Sequence, residues 1–190
     1  AHNLHYNVPF RRWWPLDILA TRVFGYVRDL RPLRWTRHSE DFIGLNYYFR
    51  DTVKFILGKG RFPMIDIKNP NEWTSDMGWD ICPEGIYHSL KRLARYRKPI
   101  YITENGIADA KDVHRARLIK EHLVWIAKAI REGVDVKGYL HWSLLDNFEW
   151  DKGFWPRFGL VEVDYKTLER KIRPSAWEYK KIIDANAIET

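Results

Sequence analysis

Hydrophobic and polar positions change period several times along this chain. Short β-branched or aromatic runs alternate with longer stretches in which apolar residues recur every three or four positions, the order expected of βαβ units. Three runs predict strands: "DFIGLNYY" over Asp41 to Tyr48, "PIYITENG" over Pro99 to Gly106, and "VKGYLHWSLLDN" over Val136 to Asn147. Between the first two, Pro83 and Glu84 open a helix with Ile86, Leu90, Leu93 and Ala94 on its apolar stripe. Pro suits the first helical position and an acid suits the positive end of the helix dipole. A second helix opens within Asp109 to Val113, turns Ala116, Ile119, Leu123, Ile126, Ala127 and Ile130 inward, and stops at Gly133. Further helices are predicted from Pro15, with Leu16, Leu19, Val23 and Val27 inward, and from Pro174, with Ala176, Tyr179 and Ile183 inward. Gly, Pro and Asn punctuate Arg50 to Trp79, about residues 50–80, without a clear period; this predicts a long irregular loop with room for a short hairpin.

Composition narrows this picture. With 190 residues and 45% hydrophobic content the chain can bury one substantial core and hardly two, so a single domain is expected. The single cysteine, Cys82, rules out an internal disulfide framework and a Cys-rich metal site, and fits a reducing, cytoplasmic setting. No apolar stretch approaches the ~20 residues of a membrane span and no signal-peptide pattern opens the chain, so no membrane partner is expected. A formal net charge of +7 would suit a nucleic-acid binder. Its bases, however, are interspersed with acids. The densest run, "LKRLARYRK" from Leu90 to Lys98, keeps its apolar members at helical spacing, so it reads as a solvated helix face and no nucleic-acid partner is expected. The seven histidines show no ligand spacing: His38, His88, His114 and His122 are expected at surface or helix positions and His141 in a strand, with no metal and no cofactor.

The aromatic residues change the picture more. They make up 15% of the chain, with 10 Trp, and cluster in polar company, as in "FEWDKGFWPRF" and "NEWTSDMGWD". Flat amphipathic rings beside carboxylates are what a sugar site uses, because pyranose C–H faces stack on indole while the hydroxyls reach polar groups. In parallel α/β sheets and barrels the C-terminal strand ends gather at one face, where ligands bind. Three strands here would deliver polar or aromatic side chains to that face: Asn46 and Tyr48, then Glu104, then Trp142 with Asn147, Glu149 and Trp150 beyond it. A carboxylate so placed can attack an anomeric carbon, with a neighbouring tyrosine hydroxyl to keep it oriented and ionised, and such chemistry normally needs a second carboxylate.

At these residues the chain resembles the glycoside hydrolases of family 1, the β-glucosidase and β-glycosidase group, from about Asp41 to the C-terminus. "ITENG" is similar to that family's nucleophile motif, which implies Glu104 as nucleophile; "GLNYY" is similar to its sixth-strand signature, which implies Asn46 and Tyr48 close by. "HWSLLDNFEWDKGFWPRFGLVEVDY" resembles the glycone-binding block. That resemblance implies Trp142 as a stacking wall, Glu149 and Trp150 as partners of the sugar hydroxyls and Phe158 in the same subsite, and Glu149 argues against a 6-phosphosugar specialist. "GWDICPEG" resembles the stretch with an aglycone-side tryptophan, here Trp79, although Cys82 stands where an aromatic is expected. "AHNLHYNVPF" resembles the end of the fifth strand, which would put Asn3 and Tyr6 near the site.

The length departs from the family, since a (β/α)₈ barrel takes ~250 residues. The "TxNEP" type motif that supplies the acid/base is missing, and the chain opens at Ala1 inside a strand-like stretch. The expected fold class is therefore α/β, the C-terminal half of a (β/α)₈ barrel from the end of strand five to strand eight. Such a half exposes a strand edge and an apolar face. It implies a partner, either a complementary N-terminal half or a second copy in self-association. The expected function is retaining hydrolysis of β-glycosides. A non-catalytic carbohydrate-binding or structural fragment is the alternative.

Overall fold

In the computed structural model of this protein, residues 40–50, 53–56, 64–67 and 73–188 are described. The predicted helix from Pro15, and Asn3 and Tyr6, lie outside them. The strands are β1 (Ile43–Asn46), β2 (Val53–Ile56), β3 (Met64–Ile67), β4 (Ile100–Asn105), β5 (Val136–His141), β6 (Val161–Val163) and β7 (Arg170–Ile172). The helices are α1 (Pro83–Leu93), α2 (Arg115–Arg131) and α3 (Pro174–Ala185). Strands β1, β4 and β5 form a parallel sheet in that order, the three predicted runs shortened to their hydrogen-bonded cores. β2 with β3 and β6 with β7 are antiparallel hairpins. The first lies within the predicted loop, and the second has exposed or alternating positions too short for a period to register.

Pro83 and Pro174 stand at the first turns of α1 and α3, where the missing N–H removes no helical bond. One face of the sheet, carrying Leu45, Ile100 and Ile102, packs against Ile86, Leu90 and Leu93 of α1 and Ile126 and Ala129 of α2. A second cluster joins Ile107, Leu118 and Ile119 to Leu160, with Ala176, Tyr179 and Ile182 of α3 against it. The buried stripe of α2 is rotated from the apolar one. It contains Arg115 and His122, both fully buried, while Ile130 is exposed, as is Ile183 on α3.

His122 takes the expected helix position, but on the buried side of α2. Its ring lies 5.7 Å from that of Tyr47 and its Nδ1 is 2.8 Å from the Leu118 carbonyl, so it serves the core as a neutral aromatic. Burial pushes its pKa down to about 4. Arg115 is held by Asp112 and by the carbonyls of Asp109 and Arg157 at 2.7 and 2.8 Å. The opposite face of the sheet, with Phe42, Tyr101 and Leu140, is exposed, and the Phe42 and Tyr101 rings meet edge to face at 5.2 Å. Among the described residues no helix is long and apolar enough to cross a membrane.

Candidate active site

The polar end of β4 is the first sign of a site. A buried parallel strand is ordinarily an unbroken apolar run, yet β4 reads Ile-Tyr-Ile and then Thr-Glu-Asn. Simple alternation would put Glu104 on the helix side with Ile100 and Ile102. Instead the pairing with β1 shifts between Leu45 and Asn46, and the pairing with β5 shifts between Ile102 and Asn105. This irregularity over Thr103 and Glu104 advances the phase by one residue. Asn105 takes the helix side, fully buried, with Nδ2 donating to the Tyr47 carbonyl at 2.7 Å and Oδ1 accepting from the Tyr139 hydroxyl at 2.8 Å. Glu104 is left on the open face. Bulges commonly re-aim side chains beside active sites in this way.

Tyr48, two residues beyond the end of β1, donates its hydroxyl to Glu104 Oε2 at 2.7 Å. Burial, that hydrogen bond, and the charges of Glu104 and Glu149 together push the Tyr48 pKa far above its ordinary value, so it remains a protonated donor. Glu149 belongs to the same electrostatic region: burial first, then the Glu104 and Asp151 charges, raise its pKa. Asn46 is the register partner of Glu104 across β1 and β4, and Trp142 follows β5 with its backbone N–H donating to the Asn105 carbonyl at 2.9 Å. Aromatic rings back the pair. Trp79 stacks on Phe49 at 4.6 Å and meets Tyr48 at 5.7 Å, and Phe158 lies 6.1 Å from Tyr48 and 6.0 Å from Trp79.

These placements gather Tyr48, Glu104, Asn46 and Trp79 around the ends of β1 and β4, with the Glu149 charge near enough to act on Tyr48 and Glu104. Phe158 is only 2% exposed, so its ring supports Tyr48 and Trp79 from within the packed layer. Trp150, at φ 46° in the turn Trp150–Lys152, is 77% exposed. Periodicity left Thr103, Asn105 and Asp146 unnoticed. The polar triplet at the end of β4 was the available signal for the first two.

Gly106 closes the junction behind the site. A Cβ there would fall 1.8 Å from the Trp142 carbonyl oxygen, so the chain after Glu104 passes against the chain after β5 with no room for a methyl group. Gly106→Ala is expected to destabilise the protein by about 2–3 kcal/mol, read as a lower denaturant midpoint at unchanged slope.

Residues 28–188 match the family described as glycosyl hydrolase family 1. A β-galactosidase of Sulfolobus acidocaldarius is 45% identical over 161 residues, covering 80% of this chain and 33% of that protein. β-Glucosidase A of Thermotoga maritima is 42% identical over 163 residues, covering 78% of this chain and 35% of the relative. Among solved structures, a β-glycosidase from Pyrococcus horikoshii superposes with a TM-score of 0.80 at 39% identity, over 92% of this chain and 45% of that one. The chain spans less than half the length of each of these relatives. Its structural neighbours are β-glycosidases with the (β/α)₈ barrel fold.

Proposed function

The chain belongs to glycosyl hydrolase family 1, and from that membership we propose that it is the C-terminal half of a (β/α)₈ barrel that hydrolyses β-glycosides with retention of configuration. The reading rests on one observation above the others: the Glu104 carboxylate sits at a strand end with the Tyr48 hydroxyl 2.7 Å from Oε2. In this mechanism Glu104 attacks the anomeric carbon and forms a glycosyl ester as the aglycone oxygen departs. A carboxylic acid from the complementary segment protonates that oxygen, then as a base draws a proton from the water that cleaves the ester. Tyr48 orients the attacking carboxylate. Asn46, Trp142, Glu149 and Trp150 hold the sugar, with Phe158 behind them, and Trp79 stands on the aglycone side.

The relatives' names support β-galactosides and β-glucosides as substrates. A complementary half is supported by the exposed sheet face bearing Phe42, Tyr101 and Leu140, which is where further strands of a barrel would pack. With that half in place the two carboxyl groups would stand about 5–5.5 Å apart, the retaining geometry.

The full-length protein, or this chain combined with a complementary half, is expected to release the chromophore of an aryl β-glucoside, and NMR at early times is expected to show the β anomer as the first sugar formed. The chain alone should be slower by about 10²–10⁴-fold, the usual contribution of acid catalysis. Release of the α anomer first would overturn the mechanism, and sugar binding without release would favour the carbohydrate-binding fragment.

A further inference from the structure

Thr103 stands beside Glu104 in the irregular part of β4 and has no part in the mechanism above. Its Oγ1 donates to Asn46 Oδ1 at 2.6 Å, and Asn46 is the residue opposite Glu104 across the β1–β4 register. Gly44, two residues earlier on the same face of β1, leaves the space that Thr103 fills. A Cβ at Gly44 would lie 3.2 Å from both Thr103 Cγ2 and Oγ1, closer than ordinary packing allows. A β-branched side chain is stiff about χ1, so a threonine enclosed on one side by Gly44 holds its hydroxyl in a defined direction.

An asparagine amide can present either its oxygen or its NH₂ group to a given neighbour, and hydrogen-bond partners decide which. Among the described residues the Thr103 hydroxyl has no acceptor besides Asn46 Oδ1, and the Asn46 Nδ2 has no partner. The flipped amide would leave the hydroxyl proton without an acceptor, and Asn46 is the cross-strand neighbour of Glu104. We propose that Thr103 is a positioning residue: it holds the amide of Asn46 by its oxygen so that both N–H donors face the oxygen-rich site around Glu104. This rests on the reading of that site as a glycosidase centre.

The test combines a cycle of variants in the active protein with a measurement that needs no turnover. Thr103→Val keeps the shape and removes the donor, and is expected to lower kcat/KM for an aryl β-glucoside about tenfold. Thr103→Ser, which restores the hydroxyl, should stay within about twofold of the unaltered protein. Because Thr103 acts through Asn46, adding Thr103→Val to Asn46→Ala should cost less than about twofold more, whereas a residue important only for folding would add its full effect. The side-chain NH₂ resonances of Asn46, assigned by their loss in Asn46→Ala, should move in Thr103→Val and stay in place in Thr103→Ser. Unchanged kinetics in Thr103→Val, full additivity with Asn46→Ala, or unmoved amide resonances would each overturn the proposal. Near-normal hydrolysis in Glu104→Gln would instead overturn the placing of the glycosidase centre at Glu104, and the resonance measurement reads the Thr103–Asn46 contact in either case.

Discussion

Glu104→Gln in the active protein is expected to lower kcat/KM for an aryl β-glucoside by at least about 10⁴-fold, in line with the loss seen when a covalent nucleophile is removed from other enzymes. Gln has nearly the shape of Glu, and its amide oxygen can still accept from the Tyr48 hydroxyl that now lies 2.7 Å from Oε2, so the pocket keeps its form. What disappears is the anion proposed to attack carbon. Substrate should therefore still bind within about tenfold of its usual affinity, a separation that loss of folding would not produce. A second substitution tests the role directly. Glu104→Gly vacates the position of the carboxylate, and added azide can attack the anomeric carbon from the same side, displacing the aryloxide of an activated substrate. With no ester formed there is one displacement instead of two, and the product should be the α-glycosyl azide. Recovery of β-glycosyl azide, or activity within about tenfold of normal in Glu104→Gln, would remove Glu104 from the nucleophile's place.

The sequence marked where the chemistry should sit more clearly than how the strand delivers it. Three apolar runs ending in Tyr48, Glu104 and Trp142 were readable because strand ends in parallel sheets share one face, and Pro83 and Pro174 marked two helix starts because Pro is tolerated in a first turn. A strict period of two, however, assigns Glu104 to the face of Ile100 and Ile102. Only the shifted pairing to both neighbours turns it to the open side, and pairing is a property of three strands together. Arg115 and His122 were hidden for a related reason. Polar residues on a helix read as solvated until partners far along the chain, such as the Arg157 carbonyl for Arg115 or the Tyr47 ring for His122, are seen to enclose them. The exposure of Ile130 follows from the same rotation of the α2 stripe.

Asp146 is the clearest case of such a distant partner, and its removal should have the largest effect on stability. Its side chain is fully buried and accepts from Arg173 Nη1 and Nη2 at 2.9 and 3.1 Å and from the Gly159 N–H at 2.9 Å. Arg173 Nη1 also donates to the Gly159 carbonyl at 2.7 Å. These bonds tie the segment leading to Glu149 and Trp150 to the start of α3. Asp146→Ala would leave the buried Arg173 guanidinium uncompensated, with the Arg115 charge close enough to oppose it, and is expected to destabilise the protein by about 3–5 kcal/mol. Asp146→Ala combined with Arg173→Met should lose less than Asp146→Ala alone, because the stranded charge goes too. The pH dependence separates this pair from the buried histidines. Burial raises the Asp146 pKa, but the Arg173 hydrogen bonds, the Gly159 N–H and the Arg173 charge outweigh it and hold the group below the ordinary aspartate value. Its stabilisation is therefore complete above about pH 4 and fades as pH falls through the lowered value. His122 and His141 act earlier: burial lowers their pKa values to about 4 and about 3, so stability should already decline as pH falls below about 6.5, where the unfolded imidazoles take up protons. Unfolding midpoints measured from pH 7 to pH 3 should show both limbs in the unaltered protein. In Asp146→Ala the lower limb should be shallower while the upper limb stays, and a lower limb of unchanged steepness would assign the acid sensitivity to other carboxylates.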